Sequence, residues 1–387
     1  MKILIAGGGI GGLSAALALS SDGHEVTVAE KADAFAPIGA GIVLAANAAG
    51  ALAALGVDVA GHGRVIETMA VITATGTVLT EIDPAVFDGR YGPIYGLTRP
   101  ALHDALLAAV AASRQPIELR TGMELESVQR SDRQVDVRFT GRGAEERFDL
   151  LIGADGIHSR VRAQVHGELP LLYSGNTCWR GLIDDLPLAG AIEVWNVDVR
   201  VGLVPLRDDR AYYFLVRGAE RRAPELRWPD ELRRAFGGFA VEPVNRFFDR
   251  LREMPPLHHD LEELERPYWG QGRVLLLGDA AHAMTPNQGQ GAAMAIEDAL
   301  AVAIALRSGV EGVQERYVSL RHARVARVQL DSRRLGRVAH WRSTLARAAR
   351  DTLLRWIPRS LADRQYEQLI RPGVELTRQF TRRTEQP

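Results

Sequence analysis

At 387 residues, with 46% hydrophobic and 25% charged residues, the chain is long enough for one large composite body or two domains holding a sizeable buried site. A formal net charge of -1 gives no electrostatic reason to expect nucleic acid, and the single cysteine, Cys178, leaves no internal disulfide or Cys-pair redox centre. No stretch approaches the roughly 20 apolar residues of a bilayer span, and the first strand starts at Lys2 with no room for a cleaved signal, so a cytoplasmic protein without an integral membrane segment is expected.

Lys2 to Ala6 is a short apolar run followed by glycines, Leu13 to Ser21 is rich in Ala and Leu as a helix would be, and Glu25 to Ala29 reads as a second strand: a β-α-β unit. Ala45 to Leu55 is helix-like, Val65 to Thr80 reads as strands around a Thr-Gly turn, and Pro100 to Ala112 as a helix opened by its proline. The chain is strand-like from there to Gly141. Asp149 to Ala154 is a continuous apolar run suited to a doubly covered strand, ending at Asp155-Gly156. Thr177 to Val216 alternates apolar and polar residues between turns, as an antiparallel sheet does. Arg273 to Leu277 is again a buried-type strand, Gly278 to Gly291 a glycine-punctuated loop and Ala292 to Arg307 a helix; beyond Glu315 the chain is helical and arginine-rich.

Gly7, Gly9 and Gly12 form G-x-G-x-x-G after a strand and before a helix, the context in which this spacing binds a dinucleotide. Gly7 permits the tight turn, Gly9 lets a pyrophosphate approach the backbone, and Gly12 allows close helix-strand packing. Glu30, about 20 residues on, closes the second strand, where a carboxylate accepts from a ribose 2′-OH and repels a 2′-phosphate. NAD or FAD is favoured over NADP. No second strand-glycine-helix unit follows, so a resident nicotinamide domain is not expected. His282 sits in a glycine-rich loop beside a buried strand and reads as a packing or hydrogen-bonding residue; His258-His259 lacks ligand spacing around it, so no metal is expected.

Two later motifs, Gly153-Ala154-Asp155-Gly156-Ile157-His158-Ser159 and Gly278-Asp279-Ala280-Ala281-His282 running to Pro286-Asn287-Gln288-Gly289-Gln290-Gly291, complete an ordered set. With them the chain resembles the para-hydroxybenzoate hydroxylase family of single-component FAD-dependent monooxygenases over most of its length. The resemblance implies an α/β fold: a Rossmann-type FAD-binding domain with a mixed or parallel sheet, an antiparallel β-sheet substrate domain, and C-terminal helices. The boundaries it suggests are 1–70, 98–175 and 270–330 for the discontinuous FAD domain, 71–97 and 176–269 for the substrate domain, and 331–387 for a helical extension. Asp279 inherits the contact to the flavin ribitol, and Asp155 is a weaker contact. Gly289, Gly291 and Ala292 would present bare backbone donors to the flavin pyrimidine at a helix start. Arg99, in Gly96-Leu97-Thr98-Arg99-Pro100, matches a cofactor-contacting arginine; Val43, Leu125 and Lys31 match further cofactor positions.

The implied reaction uses NADH or NADPH as transient co-substrate and O₂, with oxygen transferred from a flavin C4a-hydroperoxide to a small aromatic or N-heteroaromatic substrate. Arg200 and Tyr212 resemble pocket positions of members acting on nitrogen heterocycles such as urate, and Pro286 is counted with them as catalytic. Asn287 departs from the aspartate of urate-type relatives, which leaves urate itself open. An epoxidase or tailoring oxygenase on a larger natural product, or a flavin-binding redox sensor without turnover, stays as an alternative. A monomer or homodimer is expected. The arginine-rich C-terminal helices around Trp341, Leu345, Leu353, Leu354, Trp356 and Ile357 read as a cap on the cofactor domain, with a membrane-surface or partner-binding stretch as the other reading.

Overall fold

The computed structural model describes residues 1–35, 39–84, 89–251 and 256–382. A six-stranded sheet runs in the order Gly270–Gln271, Val274–Leu276, Leu150–Gly153, Lys2–Ala6, Glu25–Ala29, Ile117–Arg120, parallel throughout except for the hairpin at its first edge. The central strands are unbroken apolar runs because both of their faces are covered. Helices Ile10–Ser21 and Gly291–Leu306 pack closely over the sheet, made possible by small residues: a Cβ on Gly11 would lie 3.2 Å from Cβ of Ala295.

The second sheet has seven strands, in the order Leu257–Glu263, Leu172–Ile183, Ala211–Gly218, Val199–Pro205, Ala191–Trp195, Met69–Thr73, Val78–Ile82. Its pairings are antiparallel except Ala191–Trp195 with Met69–Thr73, which is parallel. The register puts Tyr213, Leu215, Val201 and Leu203 on one face, packed against Leu232, Phe236 and Phe247 of helices Asp230–Ala235 and Glu242–Arg250. Tyr212, Phe214, Val204, Arg200 and Arg180 alternate onto the other face, where Tyr212 lies against Gly41. Tyr95–Thr98, at the end of the segment read as substrate domain, pairs instead with Gly41–Leu44 and Arg64–Val65 in a small separate sheet.

Several boundaries differ from expectation for local reasons. The helix after Thr98 begins at Arg99 because the Thr98 hydroxyl accepts from the Ala101 N–H at 3.1 Å, which caps it one residue before Pro100. The segment read as loop from Gly278 holds a four-residue helix, Asp279–His282, and a 3-10 turn, Pro286–Gln288. The last region forms three helices, Val313–Ala339, Thr344–Trp356 and Arg359–Thr381, the first running straight through residue 331.

The first of these helices buries Arg321 completely, between two consecutive acids of helix Gly291–Leu306. Its Nε donates to Asp298 Oδ1 and its Nη1 to Glu297 Oε2, both at 2.6 Å. Arg324 adds a bidentate pair to Glu297 at 2.6 and 2.7 Å, and the Asn47 amide donates to the same carboxylate at 2.7 Å. Burial alone would raise both carboxyls; the facing cations outweigh it, holding Glu297 below its usual range, while His282 and Arg321 hold Asp298 at about 2. The helix Arg359–Thr381 closes over this cluster at Gly373, where a Cβ would fall 2.1 Å from Glu297 Oε1. Replacing Arg321 by Met therefore leaves Asp298 buried without its arginine and Glu297 with Arg324 as its remaining cation, and is expected to cost about 3–5 kcal/mol in urea unfolding. Arg371→Ala, which removes an exposed pair to Glu375, should change the same measurement by less than about 0.5 kcal/mol.

Candidate active site

The glycine fingerprint closes on itself as its spacing demands. Gly7 sits at φ +109° with its missing Cβ 2.4 Å from the Ala154 carbonyl, and a Cβ on Gly12 would strike the Gly7 carbonyl at 2.0 Å. Gly9 differs: a Cβ there would meet nothing within 4 Å. The hollow above it is open, and helix Ile10–Ser21 starts behind it with neither a side-chain cap nor an acid in its first turn, leaving its N–H groups to an anion. Gly8 is gripped from both sides. Its N–H donates to Glu30 Oε2 at 2.8 Å, and its carbonyl accepts from His103 Nε2 at 2.8 Å, which places the imidazole proton on Nε2. The other Glu30 oxygen accepts from the Ala32 N–H at 3.0 Å. Lys31 is exposed beside it.

The two aspartate motifs end neighbouring strands of the six-stranded sheet and are bolted together. Asp155 spends both oxygens locally, accepting from the Ser159 hydroxyl at 2.5 Å and the Val161 N–H at 3.1 Å, and so supports Ser159, whose own hydroxyl oxygen caps helix Arg160–His166 by accepting from the Arg162 N–H at 2.9 Å. The buried Arg162 in that helix donates to the Ile157 carbonyl at 2.6 Å and to the Ala280 carbonyl at 3.0 Å, tying one motif to the other. Asp279, by contrast, is exposed and has no hydrogen bond or ion pair among the described residues. The turn beneath it hangs from Asp298, which accepts from the Gly278 N–H at 3.0 Å and from His282 Nε2 at 2.6 Å. His282 is thus a buried supporting group rather than a side chain facing the cleft. Gly289 at φ +63° turns the chain into helix Gly291–Leu306, and Cβ atoms on Gly289 or Gly291 would point into open space; Ala292 follows, half-buried. Leu125 is buried with its carbonyl taken by Arg160 at 3.3 Å, and Val43 lies half-buried opposite Gly96.

The inner face of the seven-stranded sheet meets these loops. Tyr212 packs so tightly on the strand Gly41–Leu44 that a Cβ on Gly41 would lie 2.3 Å from its Cβ, and burial pushes its phenol up to about 12. Arg99 is pushed down first by burial and then by Arg180, while Asp279 and Tyr212 pull it back up; these four side chains share one region. Arg200 is buried, not solvent-facing, and both of its terminal nitrogens are engaged: Nη1 donates to Glu193 Oε1 at 2.9 Å and Nη2 to Asn287 Oδ1 at 2.7 Å. Asn287 is held by donating to the Ser332 carbonyl at 2.9 Å, in a space kept clear by Gly336, whose Cβ would clash with it at 2.4 Å. Pro286 opens the turn before it. Arg180, on the same sheet face, has no carboxylate opposite it among the described residues. Its Nη2 donates at 2.6 Å to Nε2 of His259, an uncharged acceptor that burial and then Arg180 push down to about 4. Arg180, His259, Arg162 and His103 carried no motif in the sequence; the first pair meets only through strand pairing. Among the described residues no three His, Cys, Asp or Glu side chains converge as metal ligands.

Comparison with known proteins places this geometry. A family model described as an FAD binding domain matches residues 1–331. The aurachin C monooxygenase/isomerase of Stigmatella aurantiaca is 33% identical, covering 94% of this chain and 96% of that protein. The 2-heptyl-3-hydroxy-4(1H)-quinolone synthase of Pseudomonas aeruginosa PAO1 is also 33% identical, covering 98% of this chain and all of its own length. Among solved structures, Klebsiella pneumoniae HpxO complexed with FAD and uric acid superposes with a TM-score of 0.85 at 27% identity, covering 97% of each chain.

Gly9→Val should purify without flavin, read as loss of visible absorbance, while its urea midpoint matches that of the wild-type apoprotein, because only the open hollow is filled. Gly12→Val should lose both. In acid, His259 and His340, the latter pushed down to about 3 chiefly by burial, must take up protons that the unfolded chain binds below about 6.5. The unfolded state then binds more protons, so stability present above that value is lost as pH falls towards 4. Urea midpoints between pH 7 and 4.5 should show this slope, and His259→Asn should reduce it, leaving the part due to His340.

Proposed function

From the premise that the chain belongs to the FAD-binding family of para-hydroxybenzoate hydroxylase-like enzymes and is an FAD-dependent monooxygenase, we propose that it hydroxylates an aromatic or N-heteroaromatic ring carrying an acidic oxygen, with Arg180 as the partner of that oxygen and a nicotinamide as transient reductant. The residues present fit the cofactor: an open hollow over Gly9, the uncapped helix behind it, a free carboxylate at Asp279 and the open backbone at Gly289 and Gly291. In this reading the fingerprint loop holds the pyrophosphate, Glu30 the adenosine ribose, Asp279 and Arg99 the ribitol side, and the start of helix Gly291–Leu306 the pyrimidine edge. When bound, the flavin takes two electrons from the nicotinamide and activates O₂, one oxygen atom going to substrate and the other to water.

The chain's own task is to bind, orient and keep dry. The observation that carries the reading is the contrast between the two pocket arginines. Arg200 faces the carboxylate of Glu193, so the pair brings little net charge to the pocket. Arg180 faces a neutral imidazole, so its charge is left for a ligand. Tyr212, with its phenol near 12, keeps its proton at neutral pH and can donate to the same oxygen without removing a proton from the ring. Phe214 beside it, ring centroids 6.0 Å apart, supplies an aromatic wall. An ionised ring oxygen held in this way makes the ring carbon ortho or para to it electron-rich, the property that electrophilic oxygen transfer requires. The similarity to enzymes named for quinolone and urate substrates supports a heterocycle of this kind.

The test is nicotinamide oxidation and product formation with a panel of hydroxybenzoates, hydroxyquinolines and purines. Arg180→Met should keep its flavin content and spectrum while KM for the active anionic substrate rises by about 10- to 100-fold, the loss of one charge-assisted hydrogen-bonded contact. Unchanged KM in that variant, or stimulation only by neutral rings, would refute the role of Arg180.

A further inference from the structure

Helix Thr344–Trp356 is amphipathic in the inverted sense. Its outward positions Leu345, Ala348, Ala349, Thr352, Leu353 and Trp356 follow the i, i+3, i+4, i+7, i+8, i+11 spacing of one continuous face, which is usually turned to a core. Here it is turned to solvent: Leu345 is 84% exposed, Leu353 69% and Trp356 82%. The helix is docked through polar chemistry instead. Arg350 is buried, lies 4.9 Å over the Trp195 ring, and donates to the Val338 and Ala339 carbonyls at the end of the preceding helix; Leu354 is the apolar contact beside it. A helix that seats an arginine inward and shows two leucines and a tryptophan outward leaves a large apolar face uncovered.

The surroundings say what covers it. Of the six arginines between Trp341 and Arg364, Arg350 is buried on Asp351, Arg342 pairs with Asp198 and Arg359 with Glu81, which leaves Arg347, Arg355 and Arg364 against one further acid, Asp363. Arg355 is exposed at the rim with no partner among the described residues. A second copy of the chain would bring this cationic rim against itself, whereas an anionic lipid surface complements both the charge and the apolar stripe, with Trp356 at the polar boundary. No helix among the described residues is long and apolar enough to cross a bilayer, so the contact is peripheral.

We propose that the face Leu345–Leu353–Trp356, rimmed by arginines, seats the protein on anionic membranes. It stands one contact away from the substrate face: Trp195, under Arg350, donates through Nε1 to Glu193 Oε1 at 2.8 Å, and Glu193 is the partner of Arg200. The seated helix thus borders the sheet that would receive a lipid-soluble ring compound.

The holoenzyme should float with phosphatidylglycerol-containing vesicles, stay behind with pure phosphatidylcholine, and be released by salt. Leu353→Glu combined with Trp356→Glu should abolish flotation, and Arg355→Glu should lower the partition coefficient at least about fivefold, both variants keeping wild-type flavin content and sedimentation coefficient. Absence of flotation by the wild type, equal flotation of the double variant, or equal partitioning into both lipids would overturn the proposal. So would a wild-type dimer in sedimentation velocity that the double variant turns into monomer without any vesicle binding, which would assign the face to a second copy.

Discussion

Everything at the cofactor end of the molecule hangs from two adjacent acids sealed inside it. Glu297 and Asp298 stand on the helix whose start faces the cleft, and neither could be buried without Arg321 and Arg324 from the next helix. The pair does more than hold two helices together. Asp298 also takes the Gly278 N–H and the His282 ring, so the turn that presents Asp279 is fixed from below by the same charge that Arg321 neutralises. Hydrogen bonds to a buried carboxylate are costly to break, because the group left behind has no water to turn to. The exposed Asp279 is therefore carried by an element that has little freedom to move.

A similar division between supporting and presented groups runs through the pocket. Asp155, His282, Arg162 and Arg200 have their polar atoms largely committed to neighbours inside the fold. Asp279, Arg99 and Arg180 do not, and they cluster where the two sheets meet. Residue type alone does not separate these classes: two aspartates fall on opposite sides of the line, and so do two arginines of the same sheet face. What decides is whether a counter-charge or backbone acceptor lies within reach, and for Arg200 it is Glu193, brought beside it by the antiparallel pairing of Trp195 with Arg200.

That distinction explains what could be read in the sequence. The glycine fingerprint was legible because its demands are local: a positive φ at Gly7 and a close approach at Gly12 follow from a strand turning directly into a helix. The apolar strands Leu150–Gly153 and Val274–Leu276 were legible because burial on both faces leaves no polar alternation. The four-residue helix at Asp279 was not, since one turn has no periodicity and is held by partners far along the chain. Nor was the Arg180–His259 pair, 79 residues apart and joined only by strand register, or His103, whose bond to Gly8 spans 95. The family resemblance pointed to Arg200 as the pocket cation; the neutralising glutamate became visible only with the fold.

The buried acids also bear on how the molecule comes into being. Their cluster draws on Asn47, on Arg321 and Arg324, and on the close approach of Gly373, so it gathers residues from nearly the whole length of the chain. While the chain is being made, the amino-terminal β-α-β unit emerges long before the helices that cover it, and Glu297 and Asp298 emerge before their arginines. Until those arginines arrive, the two carboxylates lack their counter-charges, and burying them carries an uncompensated desolvation cost. Contacts this distant in sequence are closed late and slowly. The turn that presents Asp279 is accordingly braced from below by a carboxylate whose arginine comes only from chain made after residue 313, although the glycine fingerprint stands at the start of the sequence.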